Sequence, residues 1–555
     1  MMLKFCQKRG RVIPLVRAPW RCREPACSAG ASACAVAPFA ARLLRRSEFS
    51  HTMSMMNLFA SCRDGVSSVG EVTRESVGRG IPMLDGGFRS GGRWGCVRVR
   101  SLVWVAVGLL VVFLFGANLL VGAVLGNELA ARAVSAGVAA ADITPDYPVR
   151  LSGYGGRRKE SEGIAQRISL QALALGNDGD GVAVLVTIDN CSVPGVVREE
   201  VLRRVRAQGV ALADERFAVA YSHTHCAPML EGALENLFGM DIPLEHRAHI
   251  RKYTEEVTVR MTDAVLRAVR SRGPSVLSLG RGRVGFAANR RNFADKPVDH
   301  EVPVLRVSAL DGKVRAVLAG YACHCTTIGI DAIHGDWAGC AREALERDFP
   351  GAVGMIAIGC GADQNPNPRR TMELVRQYGE ELATEVGRVL GSGATREVSG
   401  RLECRSERIE LAYAPLPSRA EWEGLAASGT GAIAYHARRN LARLERGEEL
   451  PRSLPYLIQS WSFGEGLHMV FLPGEVTVDY SLRLKREYDR DRLWVNAYCN
   501  ESACYVPSRR VLEEGGYEGG GAMVYYDRPA RFADDVEERI MAAVRRLLPV
   551  SVRAK

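Results

Sequence analysis

The chain is expected to fold as an α/β protein, a single large mixed domain that follows an N-terminal membrane segment. Three observations carry this expectation. Apolar, strand-like runs at 182–188, 217–221, 316–325 and 353–358 are interleaved with helical stretches at 197–207, 250–269, 337–347 and 372–390. Such alternation places strands and helices around one core. No Pro-, Gly- or Ser-rich linker interrupts 137–548, so the folded part reads as one unit over 137–550. Finally, the polar motifs fall just past the strand-like runs, where loops carry function in such folds.

Taken in chain order, the first hundred residues hold 17 Lys and Arg against 6 Asp and Glu. The whole chain carries +10, so this +11 segment leaves the remainder near neutral at −1. Charge therefore gives no argument for nucleic-acid binding. The segment has no sustained helical or alternating pattern and reads as a disordered basic leader, or as sequence upstream of the true start, with Met53, Met55, Met56 and Met83 as later candidates.

From 101 to 126 the uncharged run SLVWVAVGLLVVFLFGANLLVGAVLG has the length of a bilayer span, roughly 20 residues. Arg93, Arg98 and Arg100 precede it and Glu128 follows, which puts the N-terminus in the cytoplasm. Two readings stay open: an uncleaved anchor, or a secretory signal cut among the small residues at 131–141. The folded body is accordingly expected to be membrane-anchored and extracytoplasmic, or secreted or periplasmic if the segment is removed. Of 15 cysteines, six lie in the leader and nine are spread thinly over the body, and no paired CxxC occurs. A disulfide scaffold and a closed structural zinc site are both disfavoured.

The body opens at GVAAADITPDYPVRLSGYGGR (137–157), and four separated motifs then supply imidazole, carboxylate and phenol. These are the donors of an open, catalytic metal site. In SHTHCAP (222–228), His223 and His225 stand two apart after an extended run, so both side chains share one face; the bland alternative is a pair of hydrogen-bonded loop histidines. His324 sits between Cys323 and Cys325 in a run read as strand, which sends the thiols to the opposite face and disfavours a Cys-His-Cys cluster. Glu475 closes LPGE and opens a helix expected over 476–486; there it serves a metal or merely the helix N-terminus. Tyr505 lies in NESACYVPS, before GGYEGGG, and alone would be packing. The run GCGADQNPNPR (359–369) suits exposed amides at a site wall. No GxGxxG turn, Walker loop, HExxH helix or GxSxG elbow is found.

In this order, ADITP…LSGYGGR, SHTHCAP, FAANRR, CHC…GDWAG, GADQNP, LPGE and the Tyr505 segment followed by GGYE resemble the catalytic domain of the neutral (alkaline, non-lysosomal) ceramidases over about 137–548. The resemblance implies His223, His324, Glu475 and Tyr505 as zinc ligands. It makes His225 the active-site histidine and Arg290 of FAANRR a substrate-binding arginine. Where the family carries a catalytic serine this chain has Asn365, and 359–370 contains no Ser or Thr. The sequence also stops where the classical ceramidases continue into an immunoglobulin-like domain, so that domain is expected to be absent.

The expected function is that of a zinc (Zn2+) amidohydrolase cleaving the amide of an N-acylated lipid, such as ceramide, with zinc-activated water. Its partners are a lipid-like or small-molecule amide and the membrane. His225 would protonate the leaving amine, and Asn365 would orient or stabilise without forming an ester. Asp336 in GDWAG, or Asp363, would orient a ligand histidine from behind. The alternatives are a zinc esterase, a membrane-tethered pseudoenzyme that keeps zinc as a prop, and a metal-independent structural domain.

Overall fold

Strands β1 (Val134–Asp142), β2 (Ser169–Leu175), β3 (Ala183–Ile188), β4 (Phe217–Tyr221), β5 (Gly273–Arg283), β6 (Ala287–Asn289), β7 (Glu301–Ala309), β8 (Val314–Tyr321), β9 (Val353–Ile358), β10 (Gln364–Pro366) and β11 (Arg396–Val398) form the first part of the fold. The computed structural model describes residues 133–294 and 296–554, so the expected leader and the apolar run at 101–126 lie outside the described residues. Among the described residues no helix is long and apolar enough to cross a membrane.

A nine-stranded sheet runs β4-β3-β2-β1-β5-β7-β8-β9, with β11 attached to β5. It is mixed: β3 pairs with β4 and β8 with β9 in parallel, and the other pairs are antiparallel. Period-two alternation explains its two cores. Leu170, Ala172 and Ala174 of β2 join Val184 and Val186 of β3 on one face, under the helices Leu244–Arg270, Asp336–Asp348 and Met372–Gly391. Leu173, Leu175 and Leu185 point the other way.

That second face is covered by a smaller sheet of β12 (Leu402–Ala412), β13 (Ser453–Phe463), β14 (Leu467–Phe471) and, after β15 (Glu475–Val476), β16 (Leu493–Asn496). Trp461, Phe463, Met469, Phe471 and Trp494 fill the space between the sheets. The architecture is thus mixed α/β in three layers, helices on sheet on sheet, as the alternating pattern predicts. The helix expected over 476–486 is found at Val478–Glu487. One expectation needs correction: β8 ends at Tyr321, so Cys323, His324 and Cys325 lie beyond the strand.

A short segment closes the gap between the two edges of the large sheet. The Ala497 amide donates to Ile358 at the end of β9, while Asn500 donates to Val219 and Tyr221 donates to Tyr498 on the β4 side. The loops after β4, β8 and β9 are thereby drawn toward one point.

Candidate metal centre

His223 follows β4 directly and takes a left-handed backbone, φ +58°. A non-glycine residue there is uncommon, and it is held because its amide donates to the Asn190 carbonyl at 2.8 Å. His324 is held through its own carbonyl, which accepts from Trp337 Nε1 at 2.9 Å. Glu475 begins β15, which pairs with β17 (Tyr505–Val506). The glycine before it is required: Gly474 has φ +73°, and a Cβ there would lie 2.5 Å from the Cys504 carbonyl oxygen.

The imidazole tautomers follow from their partners. Nδ1 of His223 is 2.6 Å from the Cys191 carbonyl oxygen, and Nδ1 of His324 is 2.7 Å from that of Gly361. A carbonyl only accepts, so each Nδ1 carries the hydrogen and each neutral ring presents a bare Nε2. Both bare nitrogens face one oxygen, Glu475 Oε2, at 3.2 Å and 2.9 Å. That oxygen is buried and has no hydrogen-bond donor. Tyr505 Oη adds a fourth donor atom, 3.3 Å from His324 Nε2. The edge of a tetrahedral shell with bonds of about 2.0–2.1 Å is about 3.3 Å, so these spacings suit a cation. His223, His324 and Glu475 therefore form a buried group that can hold a metal ion.

A second grouping, Cys191 with His223 and His225, shares His223. Cys191 Sγ approaches that ring only on the Nδ1 side, at 3.9 Å, where the hydrogen already serves the Cys191 carbonyl. The first grouping is the better donor set.

The carboxylate and the imidazoles are strongly coupled, and a proton on His223 Nε2 is the competitor that a bound cation would displace. Burial opposes ionisation of Glu475, yet the neighbouring His223 and His324 outweigh it and hold the carboxyl well below its usual range. Burial likewise opposes charge on His223, but the Glu475 carboxylate outweighs it and raises that imidazole. Burial, then the Arg290 cation, push His324 down to about 4. His225 is held well below its ordinary value, first by burial and then by the two neighbouring imidazoles.

His225 points its Nε2 at His223 Nε2, 3.1 Å away, and its Nδ1 is buried without a partner. Its ring packs edge-on against Tyr154 with centroids 4.7 Å apart, and its backbone carbonyl accepts from Arg157. Arg290 donates to Glu518 at 2.8 Å, to Tyr505 Oη at 2.9 Å and to Asn365 Oδ1 at 3.3 Å. His223, His324, Glu475, Tyr505, His225, Arg290 and Asn365 are thus linked in one network.

The two aspartates expected to orient a ligand histidine do something else. Asp336 accepts from the amides of Ile328 and Trp337, while Asp363 accepts from Asn289 Nδ2 and from the Val478 amide that starts helix Val478–Glu487. Burial pushes Asp363 up to about 6. Backbone carbonyls of Cys191 and Gly361 perform the orienting role instead, which no residue type can announce in a sequence.

Three participants were not singled out. Tyr526 donates its hydroxyl to Glu475 Oε1, Glu518 anchors both Arg290 and Arg291, and the Thr326 hydroxyl donates to Asn365. Glu518 lies in the quoted GGYE and Thr326 directly follows the CHC of CHC…GDWAG, so a signal exists for both; Tyr526 has none beyond being a tyrosine downstream of a Gly-rich turn. The nine cysteines from Cys191 onward are all unpaired.

Comparison with known proteins agrees with this picture. Residues 135–357 match the family model described as neutral/alkaline non-lysosomal ceramidase, N-terminal. No curated protein gives a significant sequence match. Among solved structures, a ceramidase complexed with C2 superimposes with a TM-score of 0.60 at 18% identity, covering 76% of this chain and 77% of its own. A neutral ceramidase from Pseudomonas aeruginosa gives 0.58 at 19% identity, covering 76% of each chain. At that identity the structural likeness speaks for the fold, and the sequence likeness rests on the matched stretch: residues 135–357 are similar to the N-terminal domain of the neutral/alkaline non-lysosomal ceramidases.

Proposed function

We propose that the protein is a zinc-dependent amidohydrolase that cleaves the amide bond of an N-acylated lipid of the ceramide class. The observation that carries this reading is the meeting of two bare imidazole nitrogens on a buried carboxylate oxygen that no proton donor serves. His223, His324, Glu475 and Tyr505 would hold the ion. Zinc there supplies electrophilic polarisation and acidifies water, the chemistry amide hydrolysis needs near neutral pH.

The chain's own groups divide the remaining work. His225 is kept neutral by burial, so its Nε2 is ready to accept a proton and then return it to the departing nitrogen. Arg290 fixes the Tyr505 phenol from one side while Glu518 fixes Arg290 from the other, which keeps the donor direction preset. Tyr526 holds the second oxygen of Glu475, leaving Oε2 to face the imidazoles. Burial of His223, His324, Glu475 and Tyr505 excludes bulk water from the centre.

The test is zinc content and hydrolysis of an N-acyl sphingosine panel by the purified full chain, repeated after chelation and on His223→Ala. Near-stoichiometric zinc with turnover that both treatments abolish would support the reading. Zinc without amide or ester turnover would favour a binding role, and absence of zinc from the parent would sink the site.

A further inference from the structure

We propose that Asn365 donates hydrogen bonds to a neutral oxygen of the substrate and that Thr326 is the positioning residue that aims it. This rests on the amide-hydrolase reading above. Arg290 Nη1 and the Thr326 hydroxyl both reach Asn365 Oδ1, each at 3.3 Å. A guanidinium has no acceptor, so the carboxamide atom facing it must be the oxygen, which decides the orientation of the amide. Two donors use both lone pairs of that oxygen. The Nδ2 group is thereby turned away from them, and among the described residues no acceptor takes its hydrogens.

The residue is well placed to use those hydrogens. Asn365 is half-buried on β10, where it pairs with Ala288 of β6, so its backbone is fixed by a ladder rather than by a free loop. The Arg290 that holds it also donates to Tyr505, and Tyr505 lies 3.3 Å from His324 Nε2. Arg290 already pairs with Glu518 at 2.8 Å and spends its other nitrogens on Asn365 and Tyr505, so the guanidinium that holds Asn365 is not free to take a carboxylate or phosphate. The fitting acceptor is therefore neutral: the carbonyl oxygen of the scissile amide or a hydroxyl beside it. Thr326 itself is not a nucleophile, because its hydrogen goes to a carboxamide oxygen, which is too weak a base to activate it.

The experiment uses the full-length zinc-loaded protein and two probes, a fluorescent short-chain N-acyl sphingosine and the matching N-acyl alkylamine without hydroxyls. Kd, kcat and KM are measured for the parent, Asn365→Asp, Thr326→Val and Thr326→Ser, with zinc content and Tm as controls of integrity. Asn365→Asp keeps the shape but replaces both donors with an acceptor, and should lower kcat/KM about tenfold. Thr326→Val should lower it about threefold, and Thr326→Ser, which restores the hydroxyl, should recover it.

A fall in kcat with both probes assigns the carbonyl oxygen; a rise in KM confined to the sphingosine assigns the hydroxyl. Variants within about twofold of the parent, at unchanged Tm and zinc, would overturn the inference and leave the hydrolase reading standing. Binding without turnover, weakened in Asn365→Asp and Thr326→Val but restored in Thr326→Ser, would overturn the hydrolase reading and keep the donor. Neither binding nor turnover in the parent would overturn both. Should Asn365→Asp fail to fold, the Thr326 pair decides alone.

Discussion

Glu475 and Tyr505 are register partners in the two-rung parallel ladder between β15 and β17. The two residues of one rung project their side chains to the same side, so a carboxylate and a phenol reach the His324 imidazole together. Glu475→Gln should separate metal binding from folding. A carboxamide is a poor ligand, so zinc should fall below a tenth of the parent's content by elemental analysis. Yet its N–H can donate to the bare Nε2 atoms, and the metal-free Tm should match or exceed that of the metal-free parent. A large drop in the apo Tm would argue that the carboxylate serves the fold instead.

Tyr526→Phe deletes the hydroxyl that serves Glu475 Oε1. Leaving a buried carboxylate oxygen without its donor costs about 1–3 kcal/mol. Groups that orient a ligand from behind typically matter about 10–100-fold in metal affinity. Zinc affinity by competition with a chromophoric chelator should fall within that range, and an unchanged affinity would remove Tyr526 from the site.

Gly153 has φ +89°, and a Cβ there would sit 2.4 Å from the His225 ring. Gly153→Ala is therefore strained twice, in its own backbone and against the imidazole, and the backbone part alone is about 1–3 kcal/mol. Turnover should drop at least about tenfold, since misplacing a reacting group by 1 Å costs more than that. Gly156→Ala, whose Cβ meets nothing within 4 Å, should behave as the parent. Equal activity of the two variants would contradict the placement of His225.

His334 supplies a pH dependence of stability away from the ligands. Burial, then Arg376, hold its pKa down to about 4, and its Nδ1 accepts from the Asp336 amide at 2.9 Å. An unfolded imidazole titrates near about 6.5, so between those values the unfolded chain binds more protons. Stability is unaffected above that window and is lost as pH falls through it, by up to about 3 kcal/mol. His334→Asn, which keeps an acceptor but does not titrate, should make the urea midpoint fall less steeply between pH 6.5 and 4, the remaining slope coming from His324, His225 and His436. An unchanged slope would assign the loss to other groups.

Two-sided burial makes a strand legible only where no polar residue breaks the run, as Ser169 and Gln171 break the buried β2. Strands β3, β4 and β9 are apolar on both faces, and so read as unbroken runs that matched closely. β12 was not recognised, because LECRSERIELA exposes much of its length and reads as charged. The same division holds in the site. Imidazoles, carboxylate and phenol announce themselves by type, whereas the carbonyls of Cys191 and Gly361 that set the tautomers belong to backbone that any residue could provide. Asp336 and Asp363 were assigned by type alone, and each proved to be satisfying nearby backbone amides instead.

His223 and His324 follow β4 and β8, whereas Glu475 and Tyr505 sit on β15 and β17, far downstream. During synthesis the ribosome delivers the two imidazoles long before the carboxylate and phenol. A chain that ends early leaves with a weak bidentate fragment rather than a reactive centre. Under the proposed zinc reading the donor set is complete only once Tyr505 has been made, and ribosome-arrested chains of increasing length should acquire zinc only after Tyr505 has emerged.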